Sequence, residues 1–507
     1  MLLPVAYLVV RASEGGRRAL AILVEPATTG LLWDTGVLVV AVTVSAAVIG
    51  TGFAFLTVRT DVPIRRALVV LTALPLVLPT FVGAYTLVAA LAPGGLVEGI
   101  LEALGVDDPR LPSPYGLRGS WLTLTLFTYP YVLLTVRAAL RGLDPATEEA
   151  SRTLGASQWT TLVRVTLPQL RPSIAAGSLL VALYVLSDFG AVSLLRTSTF
   201  TRAIYLQYQA AFDRTPAAVL GLALVAMTVV VLVAEARVGG DRRGRTRSAR
   251  STVARTQPVI GLGRWRWPAF LVVTTVLVFA LVLPLAVTLW WLVRGVAAGE
   301  PLRLTFVAAA NSVEVAAVAA VACVAAGLPV ATWASRFPSR AGRLVERVSH
   351  VGYALPGIVV ALSLVFFGAR YAGPLYQTTA LLVFAYIVLF LPQALGAIRT
   401  AMQQIPTGAE DAARTLGSRP MEVVRRVILP QVSRGAISGA ALVFLTALKE
   451  LPATLLLAPT GFDSLATQIW SATEEAFFAR AAAPALLLVA VGSVPLALIL
   501  TRDRDVS

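Results

Sequence analysis

Two octapeptides decide the fold: EEASRTLG at residues 148–155 and EDAARTLG at residues 410–417. They open two longer stretches, 148–170 and 410–432, which align without gaps at an offset of 262 residues and share 11 of 23 positions. Self-similarity of this kind indicates two copies of one structural unit. Both octapeptides are polar, although 57% of the chain is hydrophobic. They therefore mark a feature that an apolar protein needs twice.

The surrounding sequence is that of a membrane protein. The 507 residues have a mean hydropathy of +0.79, and only 14% are charged, against about a quarter in soluble proteins. Apolar runs such as 36–58 recur, and a helix of about 20 residues crosses a hydrocarbon core of about 30 Å. We therefore predict an all-α polytopic membrane protein, with about 12 transmembrane helices in two parallel six-helix repeats.

The apolar runs predict individual spans and their orientation. Arginines concentrate in the loops on the side of the N-terminus, whereas the opposite loops carry about as many acids as arginines. This bias predicts that the N- and C-termini are cytoplasmic. The first run is short, so we expect either a translation start upstream of Met1 or an abbreviated first span. The predicted spans are 2–12, 35–58, 67–91, 119–140, 173–195, 216–236, 267–293, 311–333, 351–370, 377–398, 435–458 and 482–501.

The repeat predicts three regions: a first six-helix unit at 1–236, a basic cytoplasmic linker at 237–266 and a second unit at 267–507. The linker holds nine arginines against one acid, Asp241, and its composition favours a flexible segment. Contact with anionic lipid headgroups is a second interpretation. Units of six spans enter the membrane in the same orientation, so a pseudo-twofold axis along the membrane normal would place a pathway between them.

Isolated matches extend the repeat beyond the octapeptides. Asp188 and Glu450 lie at equivalent positions in the stretches SDFGAVSLL and KELPATLLL. The other matches pair Gly50 with Gly327, Arg59 with Arg336, and Ala73–Pro75 with Ala354–Pro356.

The rare residue types exclude several functions. With one cysteine (Cys323) and one histidine (His350), the chain can build neither a disulfide framework nor a Cys/His zinc cluster. We expect Cys323 to pack in a helix and His350 to lie at the membrane edge. The sole lysine, Lys449, is not in a phosphate-binding Gly-rich loop, so any ATP must be bound by another subunit. The net charge of +15 reflects membrane orientation rather than nucleic acid binding.

Local signals predict the shape of the repeated segment. Asp144 followed by proline favours a helix start, and acids in the first turn suit the helix dipole. Gly155 and Gly417 are typical of the left-handed residue that ends a helix. A second, amphipathic helix follows, and we expect Pro168 and Pro430 to end it before the next span. A stable turn between spans would explain this pattern, but not the near identity of two copies.

These residues resemble the signature loop of type I ABC importer permeases, the EAA loop. The first copy reads Glu149-Ala150-Ser151, Gly155 and Leu167-Pro168, and the second reads Asp411-Ala412-Ala413, Gly417 and Leu429-Pro430. Valine replaces the usual isoleucine two residues before the leucine in both copies, and aspartate replaces glutamate in the second. The fused two-unit form, with the stretch from Lys449 to Trp470, is similar to the ferric-iron importer branch.

The resemblance implies a multi-pass protein of the bacterial cytoplasmic (inner) membrane, together with its partners and roles. The loops would dock into two copies of an ABC ATPase subunit, an extracytoplasmic solute-binding protein would deliver substrate, and this chain would hold no cofactor, since ATP and Mg²⁺ belong to the ATPase. Which acid of each loop contacts the ATPase stays open between Glu148 and Glu149, and between Glu410 and Asp411. The implied coupling residues are Glu148, Glu149, Gly155, Leu167, Pro168, Glu410, Asp411, Gly417, Leu429 and Pro430.

Charges within spans are costly and are therefore candidates for function. We expect Asp188, Lys449 and Glu450 either to form a polar gate on the translocation path or to form a structural pair of buried charges. Pro452 should loosen the helix beside Glu450. No set of residues forms an identifiable iron site, so thiamine or a polyamine remains an alternative substrate. The alternative of another class is a twelve-helix secondary transporter.

Overall fold

The computed structural model describes residues 3–106, 110–210, 215–238, 259–301, 303–336, 340–352, 355–403, 405 and 407–504. This part of the chain is almost wholly helical, with an isolated parallel bridge between Thr60 and Ile260. Among these residues, nine helices are long and apolar enough to cross a membrane, and two shorter apolar helices lie at Gly357–Tyr371 and Phe478–Val494. The predicted all-α polytopic fold is confirmed.

Numbered along the chain, the helices before the basic segment are α1 (Leu3–Glu14), α2 (Gly16–Val24), α3 (Pro26–Arg59), α4 (Arg65–Leu71), α5 (Thr80–Leu91), α6 (Leu96–Ala103), α7 (Leu117–Arg141), α8 (Pro145–Thr153), α9 (Gln158–Thr161), α10 (Leu167–Ser187), α11 (Gly190–Leu194), α12 (Phe200–Ala210) and α13 (Thr215–Val238). Those after it are α14 (Arg266–Leu277), α15 (Leu283–Ala297), α16 (Arg303–Arg336), α17 (Arg340–Val351), α18 (Gly357–Tyr371), α19 (Thr379–Gln403), α20 (Thr407–Thr415), α21 (Pro420–Val423), α22 (Leu429–Leu448), α23 (Pro452–Leu457), α24 (Leu465–Glu474) and α25 (Phe478–Arg504). Single π-helical turns at Leu162–Thr166, Val278–Val282 and Val424–Ile428 join α9 to α10, α14 to α15 and α21 to α22.

Contacts group these helices into two units. The first-repeat unit comprises Glu25–Arg202 and Ala226–Trp290, and the second-repeat unit comprises Met1–Val24, Ala203–Val225 and Trp291–Ser507. The predicted regions follow the repeat in the sequence, whereas the contacts place the N-terminal helices with the second repeat. They also place the first helix after the linker with the first repeat. The division into units at 1–236 and 267–507 stays a prediction.

The core of the first-repeat unit is the trio α3, α7 and α10. Glycines allow these helices to approach closely: a Cβ atom on Gly50 would lie 2.8 Å from the backbone nitrogen of Leu133 and the carbonyl oxygen of Tyr129. A Cβ atom on Gly177 would lie 2.7 Å from the Cα atom of Val132. Small residues at such crossings stabilise helix packing in a membrane, where apolar burial contributes little.

The second-repeat unit has the same core in α16, α19 and α22. Gly439, which is 262 residues after Gly177, lies against Ala394 with 3.2 Å from its would-be Cβ atom to the Cα atom. Gly435 is closer still, at 2.4 Å from the Cβ atom of Ala401. The sequence repeat is therefore also a repeat of helix packing.

Three predicted spans are not continuous helices. The span predicted at 67–91 is divided into α4, a 3₁₀ turn at Leu74–Val77 and α5. Prolines explain the break, because Pro75 and Pro79 lack the backbone N–H that a continuing helix would use. Continuity was the wrong expectation here, since apolar character alone does not report where the backbone turns.

The spans predicted at 173–195 and 435–458 break at equivalent positions. Helix α10 ends at Ser187, and the short α11 follows. Helix α22 ends at Leu448, and α23 begins at Pro452, so the helix is interrupted where Pro452 was expected to loosen it.

The starts of α5 and α18 correct one repeat match. Pro79 and Pro356 both adopt extended backbone angles and immediately precede their helices. Pro75, which the sequence matched to Pro356, lies instead in the 3₁₀ turn. The structural counterparts are therefore Pro79 and Pro356, and the next residues, Thr80 and Gly357, occupy the same helix position.

Most of the predicted linker, residues 239–258, lies outside the described residues. Where the described chain resumes, the Ile260 N–H donates to the Arg59 carbonyl at 2.7 Å, and the Leu262 N–H donates to Asp61 Oδ1 at 2.8 Å. The linker bounds of 237 and 266 stay a prediction, and Val259–Leu262 is held against the end of α3. These residues pair with the chain at the end of α3 because the chain there still offers unused carbonyl and carboxylate acceptors.

Candidate functional site: the duplicated loop and the buried acids

The first loop helix, α8, begins and ends as its sequence predicts. Asp144 caps it, because Asp144 Oδ1 accepts the Ala146 N–H at 3.0 Å, and a proline occupies the first helical position. Gly155 ends it with a φ of +85°, a conformation that costs little only for glycine. Its N–H and that of Ala156 bond back to the last turn at 2.9 and 3.1 Å. This is a glycine-terminated helix end.

The two acids of α8 have different environments. Glu148 is buried in an ion pair with Arg59, the last residue of α3, and the two side chains are 7% and 2% exposed. The same carboxylate oxygen accepts a hydrogen bond from the Thr166 hydroxyl at 2.8 Å. Glu149 is exposed. The Glu148 carboxylate is therefore engaged within the chain, and Glu149 is the acid that faces outward.

Apolar side chains of the same loop are also exposed. Leu154 is 88% exposed and Trp159 is 72% exposed, and Val163 adds a third apolar group on the next helical turn. Ser157 caps this second helix through a 3.1 Å bond from the Thr160 N–H. We call Glu149, Leu154, Trp159 and Val163 the loop surface. Large apolar groups and an acid exposed together in one loop are typical of a protein interaction surface.

The second loop has the same backbone. Gly417 ends α20 with a φ of +86°, its N–H bonds to the Arg414 carbonyl at 3.0 Å, and Ser418 bonds to Ala413 at 3.0 Å. Leu416, the counterpart of Leu154, is 86% exposed. Glu410 and Asp411 lie in α20, but their side chains are outside the described part of the chain, so the open choice between them stays a prediction.

Pro168 and Pro430 do not end their helices, which corrects the sequence expectation. The helix runs on from α9 through the π turn Leu162–Thr166 into α10, and likewise through Val424–Ile428 into α22. A π turn in front of a proline supplies the altered hydrogen-bond pattern that a residue without an N–H requires. The second helix of each loop is thus continuous with a membrane helix. Leu167 and Leu429 are exposed at these junctions.

Asp188 lies at the break after α10 and is 7% exposed. Its Oδ1 atom accepts the N–H groups of Ala191 and Val192 at 3.0 and 3.3 Å, so it caps α11. Its Oδ2 atom accepts a hydrogen bond from the Thr80 hydroxyl, at the first residue of α5. Both carboxylate oxygens are satisfied within the first-repeat unit, which supports the structural interpretation of this acid.

Glu450 has the equivalent role at the break after α22. Its Oε1 atom accepts the Ala453 N–H at 3.2 Å, next to Pro452 at the start of α23. A Cβ atom on Gly357 would lie 2.6 Å from that oxygen. Lys449 is the C-cap residue that follows α22, and it is half-buried. In the second repeat, Glu450 and Gly357 therefore occupy the place that corresponds to Asp188 and Thr80 in the first repeat.

Sequence reasoning missed several partners in these sites. Arg59 was noticed only as a residue matching Arg336, and Thr80, Thr166 and Gly357 were not singled out. A charged residue at the end of two repeated helices was the available signal for Arg59, because buried charges need partners. In the described part of the chain, no three His, Cys, Asp or Glu side chains converge on a possible metal site. Cys323 is buried, as expected.

Comparison with known families decides what kind of protein carries these loops. The family described as "Binding-protein-dependent transport system inner membrane component" matches residues 25–241 and 324–502, which together make up well over half of the chain. The chain belongs to this family. The permease is thus a non-enzymatic membrane component of a transport system, and the alternative of a secondary transporter is not favoured.

Individual relatives extend the comparison. The permease is 32% identical over 506 residues to the Fe(3+)-transport system permease protein FbpB 2 of Haemophilus influenzae, covering 98% of this chain and 95% of that protein. It is 31% identical over 206 residues to the molybdenum transport system permease protein ModB of Escherichia coli, covering 39% and 88%. For the sulfate transport system permease protein CysT of Escherichia coli, identity is 30% over 191 residues, covering 36% and 67%. The first match spans both repeats of the permease.

Proposed function

We propose that the permease forms the translocation path of an ATP-driven importer for ferric iron. The observation that carries this proposal is the similarity to a ferric-iron permease over almost the full length of both chains. The matches to molybdenum and sulfate permeases cover less than half of this chain. The full-length match favours iron over the alternative substrates thiamine and polyamines.

We further propose that the two glycine-terminated loops dock onto two copies of an ATPase subunit in the cytoplasm. The loop surface supports this role, because its apolar groups lose their contact with water on docking and Glu149 can pair with a basic group. Glu149 is proposed for this contact in place of Glu148, whose carboxylate is engaged by Arg59. ATP and Mg²⁺ would be bound in the ATPase, and an extracytoplasmic binding protein would deliver the iron.

The positive-inside bias supports the proposed orientation with both termini in the cytoplasm. It places the duplicated loops on the ATPase side of the membrane. Asp188, Lys449, Glu450 and Pro452 remain proposed residues of the path, with the satisfied carboxylate of Asp188 as an observation in favour of a structural role.

Transport by the reconstituted complex tests the substrate. Vesicles that hold the permease with its ATPase and binding protein should accumulate radiolabelled Fe³⁺ only when ATP is supplied. Thiamine, putrescine, molybdate and sulfate serve as matched substrates in parallel vesicles. Accumulation of one of these in place of iron would overturn the substrate proposal, and uptake driven by a proton gradient without ATP would overturn the mechanism.

A further inference from the structure

We propose that the buried Arg59–Glu148 pair, supported by Thr166, is a positioning element that transmits movement of the first loop to the membrane helix α3. We call these three residues the tie. The inference rests on the proposed docking of the loop to an ATPase. It assigns to Glu148 a role inside the chain, distinct from the contact that its neighbour Glu149 offers to a partner.

The tie connects three segments that are distant in sequence. Glu148 lies on the buried side of α8, Arg59 is the last residue of α3, and Thr166 closes the π turn before α10. The Thr166 hydroxyl and the Arg59 guanidinium both reach the same oxygen of the Glu148 carboxylate. A displacement of α8 therefore acts directly on the ends of two membrane helices.

The last turn of α3 is held firmly enough to carry such a displacement. Arg65 donates from Nε to the Thr57 carbonyl at 2.7 Å and from Nη2 to the Val58 carbonyl at 2.6 Å. The Arg59 carbonyl accepts the Ile260 N–H at 2.7 Å. Helix ends usually fray because their last carbonyls lack partners, but these three carbonyls are satisfied. Movement at Arg59 is thus passed along α3 rather than lost in its final turn.

Beyond Arg59, the helix packing offers a route into the membrane. Helix α3 contacts α7 at Gly50 and packs against α10, whose far end carries Asp188. Close-packed helices move as bodies, because interiors are bistable rather than continuously deformable. The tie therefore links the loop surface to the acid at the break of α10 through two helices.

An ion pair suits this task better than an apolar contact. Its charge-assisted hydrogen bonds have a narrow range of favourable geometry, whereas apolar side chains can slide past one another. Burying two charges is costly, and replacing such a pair by apolar residues is often neutral for stability. Retaining the pair at the joint between loop and membrane helix is consistent with a need for fixed position rather than for stability.

The test separates position from stability with three variants in the complete complex: Arg59→Met, Glu148→Leu and the double variant. Each single variant should lower iron uptake per ATP hydrolysed by about ten-fold or more, because it breaks the contact that fixes α8 to the end of α3, and it should lower the Tm, because it leaves an uncompensated buried charge. The double variant should recover the thermal midpoint Tm but not the uptake per ATP. All three should still bind the ATPase in a pull-down, since the loop surface is unchanged.

Results of two kinds would overturn the inference. Normal uptake per ATP in both single variants would show that the tie does not transmit movement. Full recovery of that ratio in the double variant would show that the pair has only a structural role. The control is Glu300→Gln, which breaks an ion pair with Arg480 that is 3.0 Å long but exposed, and which should change neither readout. Thr166→Val should lower the ratio less than either single variant, and Thr166→Ser should restore it.

The loop surface provides the separate test of the docking proposal. Leu154→Ala combined with Trp159→Ala removes two exposed apolar groups and should weaken ATPase binding in the pull-down. If that variant binds the ATPase normally, the docking proposal fails whatever the tie variants do. If it loses binding while the tie variants transport normally, docking stands and only the tie is refuted.

Discussion

The two repeats have similar loops but different acids at the breaks in their membrane helices. Gly155 and Gly417 have φ angles of +85° and +86°, and the backbone hydrogen bonds around them match. At the breaks in the membrane helices, the first repeat combines Asp188 with Thr80, whereas the second combines Glu450 with Gly357. A longer acid beside a smaller neighbour fills the same place as a shorter acid beside a larger one. The loops thus conserve backbone shape, and the acid sites conserve occupied volume together with the carboxylate bond to an equivalent N–H group, that of Ala191 or Ala453.

Changing the two loop glycines, which the repeats share, should have the largest effect on transport. Gly155→Val together with Gly417→Val places β-branched residues in a left-handed conformation, at a cost of about 1–2 kcal/mol for each position. We expect ATP hydrolysis to be uncoupled from uptake, measured as the ratio of iron accumulated to ATP consumed. Asparagine at both positions is the control, because it tolerates this conformation and should transport nearly normally. Normal transport by the valine variant would mean that the loop angle is not required for coupling.

Changing the acid site of the second repeat, which differs from that of the first, should have the next largest effect, here on stability. Gly357→Thr introduces the residue of the first repeat, but its Cβ atom would lie 2.6 Å from Glu450 Oε1. Overpacking of this kind costs about 1–3 kcal/mol, so the Tm of the purified complex should fall. The double variant Gly357→Thr with Glu450→Asp recreates the combination of the first repeat and should restore the Tm. If the single variant has the Tm of its parent, or if the double variant has no higher Tm than the single variant, the two acid sites are not matched by occupied volume.

Two variants of Asp188 distinguish its role as a helix cap from a role in transport. Asp188→Ala removes the cap of α11 and should cost about 1 kcal/mol, whereas Asp188→Asn keeps an acceptor for the N–H groups of Ala191 and Val192. If the acid is a gate, the asparagine variant and Glu450→Gln should lose uptake of Fe³⁺ while the complex still assembles. Unchanged uptake in both, with a lower Tm for the alanine variant alone, would assign Asp188 a structural role.

The smallest effect is expected at the hydroxyl that only the first repeat has. Thr80→Val removes the hydrogen bond to Asp188 at constant volume and should lower stability by about 1 kcal/mol. Thr80→Ser keeps the hydroxyl and serves as the matched control. Thermal unfolding of the two purified variants measures the difference. Equal Tm values would show that the backbone N–H groups alone satisfy the carboxylate.

The sequence was a reliable guide where local chemistry decides the structure. Asp144, Gly155 and Gly417 act through their own backbone and side chain, so their roles as helix start and helix ends could be predicted. The packing of α3, α7 and α10, by contrast, depends on contacts between segments far apart in the chain. Arg59 and Glu148 are 89 positions apart, and no local pattern connects them.

Prolines show a second limit of sequence reasoning. Pro168 and Pro430 were expected to end helices, yet both helices continue, because a π turn in front of each proline accommodates the missing N–H. Pro79 and Pro452 do interrupt the chain, each immediately before a helix or at its first residue. The same residue type gives opposite outcomes, which depend on whether the preceding turn can widen.

The pairing of Ile260 with the end of α3 has a consequence for the order in which the chain is made. The first-repeat unit includes Ala226–Trp290, so it cannot be complete when Arg202 leaves the ribosome. The Arg59 carbonyl must wait for Ile260, which is synthesised 201 residues later. Since chains grow at about 5–20 residues per second, that wait is on the order of 10–40 seconds, during which the end of α3 lacks one of its native partners.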